Sequence, residues 1–593
     1  MDVSHDMIEG MSSIYEVAKK LHNLSAGKKF LISLIPLATL LVVFTIFQTI
    51  DDFYLSDSLS VTMMFREPFQ LHSVFAMDYH TFLFKLPFFY IEQKIGLSII
   101  SHTILSLMFT VPMFGCFGYI FYKITKRYRY TALLLAGLMM LFLLIPPHYT
   151  LNNMTMPSMR NIEYGMFFLA FYWLYRDDRR SRRCIGLLFL VLLVASDPMF
   201  APYAIGASLL VAIFTNFRNV TKPVKMRSIY TFGISVLSSA LGMILLRLAS
   251  VVGLVVVGKE SGAMFIKQPV ESITRAFEFF VDALKSILVS LGIDVARAPI
   301  YRPETIIAIV VVSTVSIMGI IALRKTLKQS TDTYSWREQY AMLAIATVIA
   351  TIVPYTLTQH VADGGNVRFF HIALFSLSII ASYGLAVLKP QVKGIVMTAF
   401  TLAFTVCSLS GVSRSYHYAS FTEHTTGPLH DNIAKRLKEH NINTIAGDYW
   451  HIYPISARAR SNSDQDLHLL PLSQRCASLQ AYFIDARWMS YKNIGPYFAV
   501  VAYTQPVGDD YDYNDPMSTA CTHKDAVAQF GQPLKRVVVD PMPQSGQPLK
   551  RVVVDPMPQS GLRPYHIYIY PTEKLSRINT DRARAKLRES HQF

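Results

Sequence analysis

Two successive aspartates, Asp51 and Asp52, close the first long apolar run of the chain, Phe30 to Ile50. A carboxylate there can take the proton of a hydroxyl, a poor nucleophile at neutral pH, as a new bond forms. The segment DYHTFLFKLPFF comes next, with His80, Lys85 and Pro87. Lys85, Arg160 and Arg368 are fixed cations suited to stabilising a departing phosphate in a partly dehydrated site. His80, Glu163 and Asp197 are further polar residues that can line the same cavity. Short spans around Asp197, in SDPMFAPY, would let polar backbone line such a cavity where lipid does not reach it.

Each residue also has a plainer reading. Acidic residues at the end of a span are commonly just solvated, and Lys85 can snorkel to the interface. Arg160 and Glu163 stand three apart at the start of a span and can form a local i,i+3 pair. Arg247, inside an apolar run, is costly there unless it is paired or snorkels. His80 has no second ligand at a metal-binding spacing, so no metal site is expected.

These residues must be positioned by helices that cross a membrane. The chain is 52% hydrophobic and only 16% charged over 593 residues. Its apolar residues form uninterrupted runs of the length a hydrocarbon core of about 30 Å demands. Eleven candidate spans result: 30–50, 95–122, 131–146, 161–175, 184–196, 203–217, 229–257, 305–323, 340–357, 371–388 and 395–410. With the N-terminus inside, every inner loop is basic, so the formal charge of +16 reports orientation in the membrane and not nucleic-acid binding. The polar stretch before Phe30 and the missing small-residue cleavage site point to a retained first helix. Two outer segments, 51–94 and 258–304, are long enough to hold interfacial helices, with an amphipathic stretch at Val270–Leu291.

Residues 1–412 thus form a multi-span membrane domain and 413–593 an extracytoplasmic domain of globular composition. A helical pattern at Leu429–Glu439 and strand-like runs at Thr444–Trp450, Tyr497–Tyr503, Arg551–Val554 and His566–Tyr570 predict an α/β fold. Cys476 and Cys521, its two cysteines, form a disulfide in an oxidising compartment or stay as two free thiols. Within it GQPLKRVVVDPMPQS, Gly531–Ser545, recurs unchanged as Gly546–Ser560; one copy is expected to be a core strand and the other an addition. There is no G-x-G-x-x-G after a strand and no P-loop, which suits a donor that is not a nucleotide.

The acidic pair after the first span, the long outer loop and the terminal domain together resemble the GT-C glycosyltransferases, which take a sugar from a polyprenyl-phosphate carrier. The resemblance implies Asp51 or Asp52 as the catalytic carboxylate. Phe84-Lys85-Leu86-Pro87 is similar to a lysine-proline segment near the donor phosphate in some of these enzymes, though it has a single proline. Arg368 in NVRFF is similar to an arginine-aromatic pair of the family, and Gly447-Asp448-Tyr449-Trp450 resembles a segment of bacterial members. The same resemblance implies transfer to an envelope glycan, lipid or protein at the outer face of the cytoplasmic membrane, with a divalent cation left open. The rival readings are a transporter or flippase of a lipid-linked precursor, and an envelope scaffold whose soluble domain does the binding.

Overall fold

The computed structural model describes most of residues 25–52, 83–144, 155–252, 303–356, 370–473, 476–479, 494–503, 521–539 and 565–581, with short pieces elsewhere. The chain begins with α1 (Ala26–Asp52), then β1 (Ala76–Met77), α2 (Leu86–Ile95), α3 (Ile99–Thr125), α4 (Tyr128–Leu144), α5 (Ile162–Arg176), α6 (Arg180–Ser196), α7 (Phe200–Phe217) and α8 (Lys222–Val251). After β2 (Val256–Val257), which pairs in parallel with β1, come α9 (Pro303–Lys328), α10 (Trp336–Thr356), α11 (His371–Val387) and α12 (Pro390–Phe421). Each of the eleven apolar runs carries a helix over most of its length, the run 229–257 ending beyond α8 in β2, because lipid offers no partner for backbone N–H and C=O groups and the helix satisfies them internally.

Six helices are long and apolar enough to cross a membrane among the described residues: α1, α3, α7, α8, α9 and α12. The protein is therefore a multi-pass helical membrane protein. α5 explains why shorter apolar helices coexist with these. From Glu163 to Tyr175 all its residues but Trp173 are buried, so it is apolar all round and packed on protein against α3, α6, α8 and α10. Its 15 residues measure about 22 Å, which a helix shielded from lipid can be. Aromatic rings hold it: Tyr164 stacks on Phe375 at 4.8 Å, Phe117 on the same ring at 4.9 Å, and the Tyr340 hydroxyl donates to Phe168 O at 2.8 Å.

α12 runs on to Phe421 without a break, past the boundary expected at Val412, since helix geometry continues after the apolar run that set that boundary has ended. Arg247 is exposed one turn before the end of α8. Most of Val270–Leu291 lies outside the described residues.

Beyond α12, α13 (Gly427–Glu439), β3 (Thr444–Asp448), α14 (Tyr449–Ser463), β4 (His468–Ser473), β5 (Ser478–Leu479), β6 (Tyr497–Tyr503), α15 (His523–Phe530), β7 (Lys535–Val539) and β8 (Tyr565–Pro571) build an α/β unit. The sheet order is β5-β4-β3-β6-β8-β7, with β3 parallel to β4 and β6 and the β8 pairings antiparallel. β3 stops at Asp448, short of the expected Trp450, because α14 starts at once. Cys476 and Cys521 are disulfide-bonded, their Cα atoms 5.1 Å apart. The first repeat copy forms β7, an edge strand with only Val539 buried and so not a core strand; the second copy, with Arg551–Val554, lies outside the described residues.

Candidate functional site

The corner where α2 begins, α5 begins and α6 turns into α7 gathers four of the charged residues singled out in the sequence. Lys85 immediately precedes α2, whose start is set by Pro87 at its second position, where a missing N–H is harmless. The loop is tied to the α6 end by Phe84 N–H, which donates to Ser196 Oγ at 3.3 Å. Lys85 is fully buried, not snorkelling: its Nζ lies 2.8 Å from Glu163 Oε1, 2.8 Å from Asn161 Oδ1 and 3.2 Å from Pro157 O. It also sits 4.7 Å from the centre of the Phe109 ring. The ammonium thus donates to two oxygens, Asn161 Oδ1 and Pro157 O, and has the Glu163 carboxylate beside it as an ion pair. Burial pushes the Lys85 ammonium below the ordinary lysine range, and the Glu163 carboxylate opposes that shift.

Glu163 occupies the first turn of α5, where the helix dipole favours a negative charge. Its Oε2 accepts the Asn161 N–H at 2.9 Å, and Asn161 Nδ2 donates to Met156 O at 3.0 Å. Arg160 pairs with Asp197, whose Oδ1 accepts the Met199 N–H at 3.0 Å and thereby shapes the turn into α7. The local Arg160–Glu163 pair, the plainer reading of the sequence, is not among the ion pairs of the described residues. Each residue instead reaches across to another element, because Lys85 and Asp197 are buried and need partners more than an exposed i,i+3 pair would. Asp51 and Asp52 end α1, with side chains outside the described residues, where His80 and Arg368 also lie.

Two features went unread in the sequence. Asn161, beside Arg160, is a ligand of Lys85. Glu92, seven residues after Lys85 on the same helical face, is buried with its Oε1 2.7 Å from His102 Nδ1, and its other oxygen accepts the Thr62 hydroxyl. A capping box, Ser98 with Ser101, starts α3 so that His102 faces Glu92. The spacing of Lys85, Phe89 and Glu92 was the available signal.

In the α/β unit the chain leaves β3 for β4 on one side while β6 lies on the other, so the carboxyl end of β3 is a topological switch point. Asp448 is buried there. Gly447 before it has a packing reason: a Cβ would lie 2.7 Å from Val501 O of β6. Among the described residues no three His, Cys, Asp or Glu side chains converge as a metal site. In comparison with known proteins, no family model matches the chain and none of the curated proteins is significantly similar to it.

Proposed function

We propose that the protein is a membrane glycosyltransferase of GT-C type, transferring a sugar from a polyprenyl-phosphate donor to an envelope acceptor at the outer face of the cytoplasmic membrane. The observation that carries this reading is the buried junction of Lys85, Arg160, Glu163 and Asp197 at helix ends, where a multi-pass protein holds charge at evident cost. In this reading Asp51 or Asp52 accepts the proton of the attacking hydroxyl. Lys85 and Arg160, kept in place by their carboxylate partners, exchange those partners for the donor phosphate and take up the charge that grows on it as the glycosidic bond breaks. Arg368 adds to them. The switch point at Asp448 offers the acceptor a crevice. The chain crosses the membrane eleven times, its basic loops inside, and the disulfide-bonded unit stands in the oxidising compartment outside.

Membranes containing the protein should transfer label from one of a panel of polyprenyl-phosphate sugars, and the Asp51→Asn/Asp52→Asn double variant, at equal protein level, should not. Transfer unchanged in that variant would sink the assignment of the base. A flippase reading is favoured by one fact, that the four charges at the junction are balanced, as in carriers that hold ion pairs within the membrane. It requires label to change sides without a new glycosidic bond, and the two outcomes separate on chromatography of the lipid extract.

A further inference from the structure

Among the described residues, the duplicated segment meets the sheet as β7. β7 is the outermost strand, and its seat is defined by few contacts. Lys535 lies opposite Ile569 and Val539 opposite Tyr565, while the Leu534 N–H donates to Ile569 O at 2.9 Å. Arg536 donates to His566 Nε2 at 2.9 Å. Val537 is half-buried against Ile567, and Val539 is buried.

Every residue that β7 uses has a twin further along the chain: Leu549, Lys550, Arg551, Val552, Val553 and Val554. Identical side chains in the same register on β8 make identical contacts, so the seat cannot distinguish the copies by sequence. Deleting either copy yields the same chain, so the two are equivalent in covalent terms as well.

Only the connections differ. α15 ends at Gly531, whose φ of +82° and N–H bond to Val527 O cap the helix whichever copy occupies the sheet. With the first copy seated, the flanking links are 531–534 and 540–564; with the second, 531–549 and 555–564. Closure entropy depends on the logarithm of link length, and the product of the two lengths changes about twofold, which sets a population ratio of roughly three to one for the first copy. We infer that the β7 seat exchanges between two occupants, Lys535–Val539 and Lys550–Val554, in a register shift that moves one whole repeat from the β8 side of the strand to the α15 side.

Cysteine pairs on the purified full-length chain test this. Val537→Cys with Ile567→Cys reports the first copy, and Val552→Cys with Ile567→Cys the second. After mild oxidation and peptide mapping by mass spectrometry, both pairs should link within one molecule, the second to roughly a third of the extent of the first. A chain lacking 546–560 and carrying Val537→Cys/Ile567→Cys is the single-occupant reference and should link more fully than its two-copy parent. A link confined to Val537→Cys/Ile567→Cys overturns the exchange, as do links only between separate molecules. Failure of both pairs, with the reference linking, overturns it as well.

Discussion

At the scale of single residues, Lys85 shows what burying a charge demands. Its ammonium donates to two protein oxygens and faces an aromatic ring, and Glu163 supplies the countercharge. Removing one partner strands the other in a medium that solvates it poorly, so Lys85→Met and Glu163→Gln should each cost about 3–5 kcal/mol. Combining Lys85→Met with Glu163→Met should recover most of that loss, because no lone charge remains. Thermal unfolding in detergent reads the cycle; strictly additive losses would mean that the two residues stabilise the fold independently. The sequence made these residues conspicuous, since a lysine, an arginine and two carboxylates stand out in apolar surroundings. Their pairing was illegible, because spacing along one helix reports neighbours on that helix only, and both pairs run between elements. Asn161 and the Glu92–His102 pair were missed for a related reason: a polar residue beside a span looks solvated until its burial is known.

At the scale of elements, apolar runs located every described helix of the membrane part except α2, since lipid leaves the backbone no other choice. They could not say which face meets lipid and which meets protein. Close approaches mark the latter. At Gly384 on α11 a Cβ would lie 2.5 Å from Met318 O on α9, so the two helices touch through backbone. Gly384→Ala should push them apart at a cost of about 1–3 kcal/mol. Gly233→Ala on α8, where nothing lies within 4 Å, should be neutral or stabilising by up to about 1 kcal/mol from helix propensity. Equal melting shifts for the two variants would contradict the packing. In the α/β unit the strand at 497–503 was read to the residue. The first two residues of α14, Tyr449 and Trp450, look like the tail of a strand because they favour strands by composition, while the fold needs a crossover helix between the parallel β3 and β4. The repeat was seen at once, but its place at the sheet edge is set by sheet order, which no local pattern encodes.

At the scale of the whole molecule, an α/β unit follows a membrane bundle. The α/β unit holds itself closed across a sequence separation of 45 residues by its disulfide, a loop whose closure is worth about 4 kcal/mol by chain entropy. Cys476→Ser/Cys521→Ser should therefore lower the melting temperature of that unit and leave the bundle's transition in place; a common shift of both would show that the two parts unfold together.

The burial of α5 has a further consequence. Six long helices form the part of the bundle suited to lipid, while α5, which leads with Glu163, has protein around it on nearly every residue. Changes in bilayer thickness act on helices that face the lipid, through tilt and mismatch. α5 is insulated from them, so the long helices can adjust to a thicker or thinner membrane while the spacing of the charges at the start of α5 is kept by the protein alone.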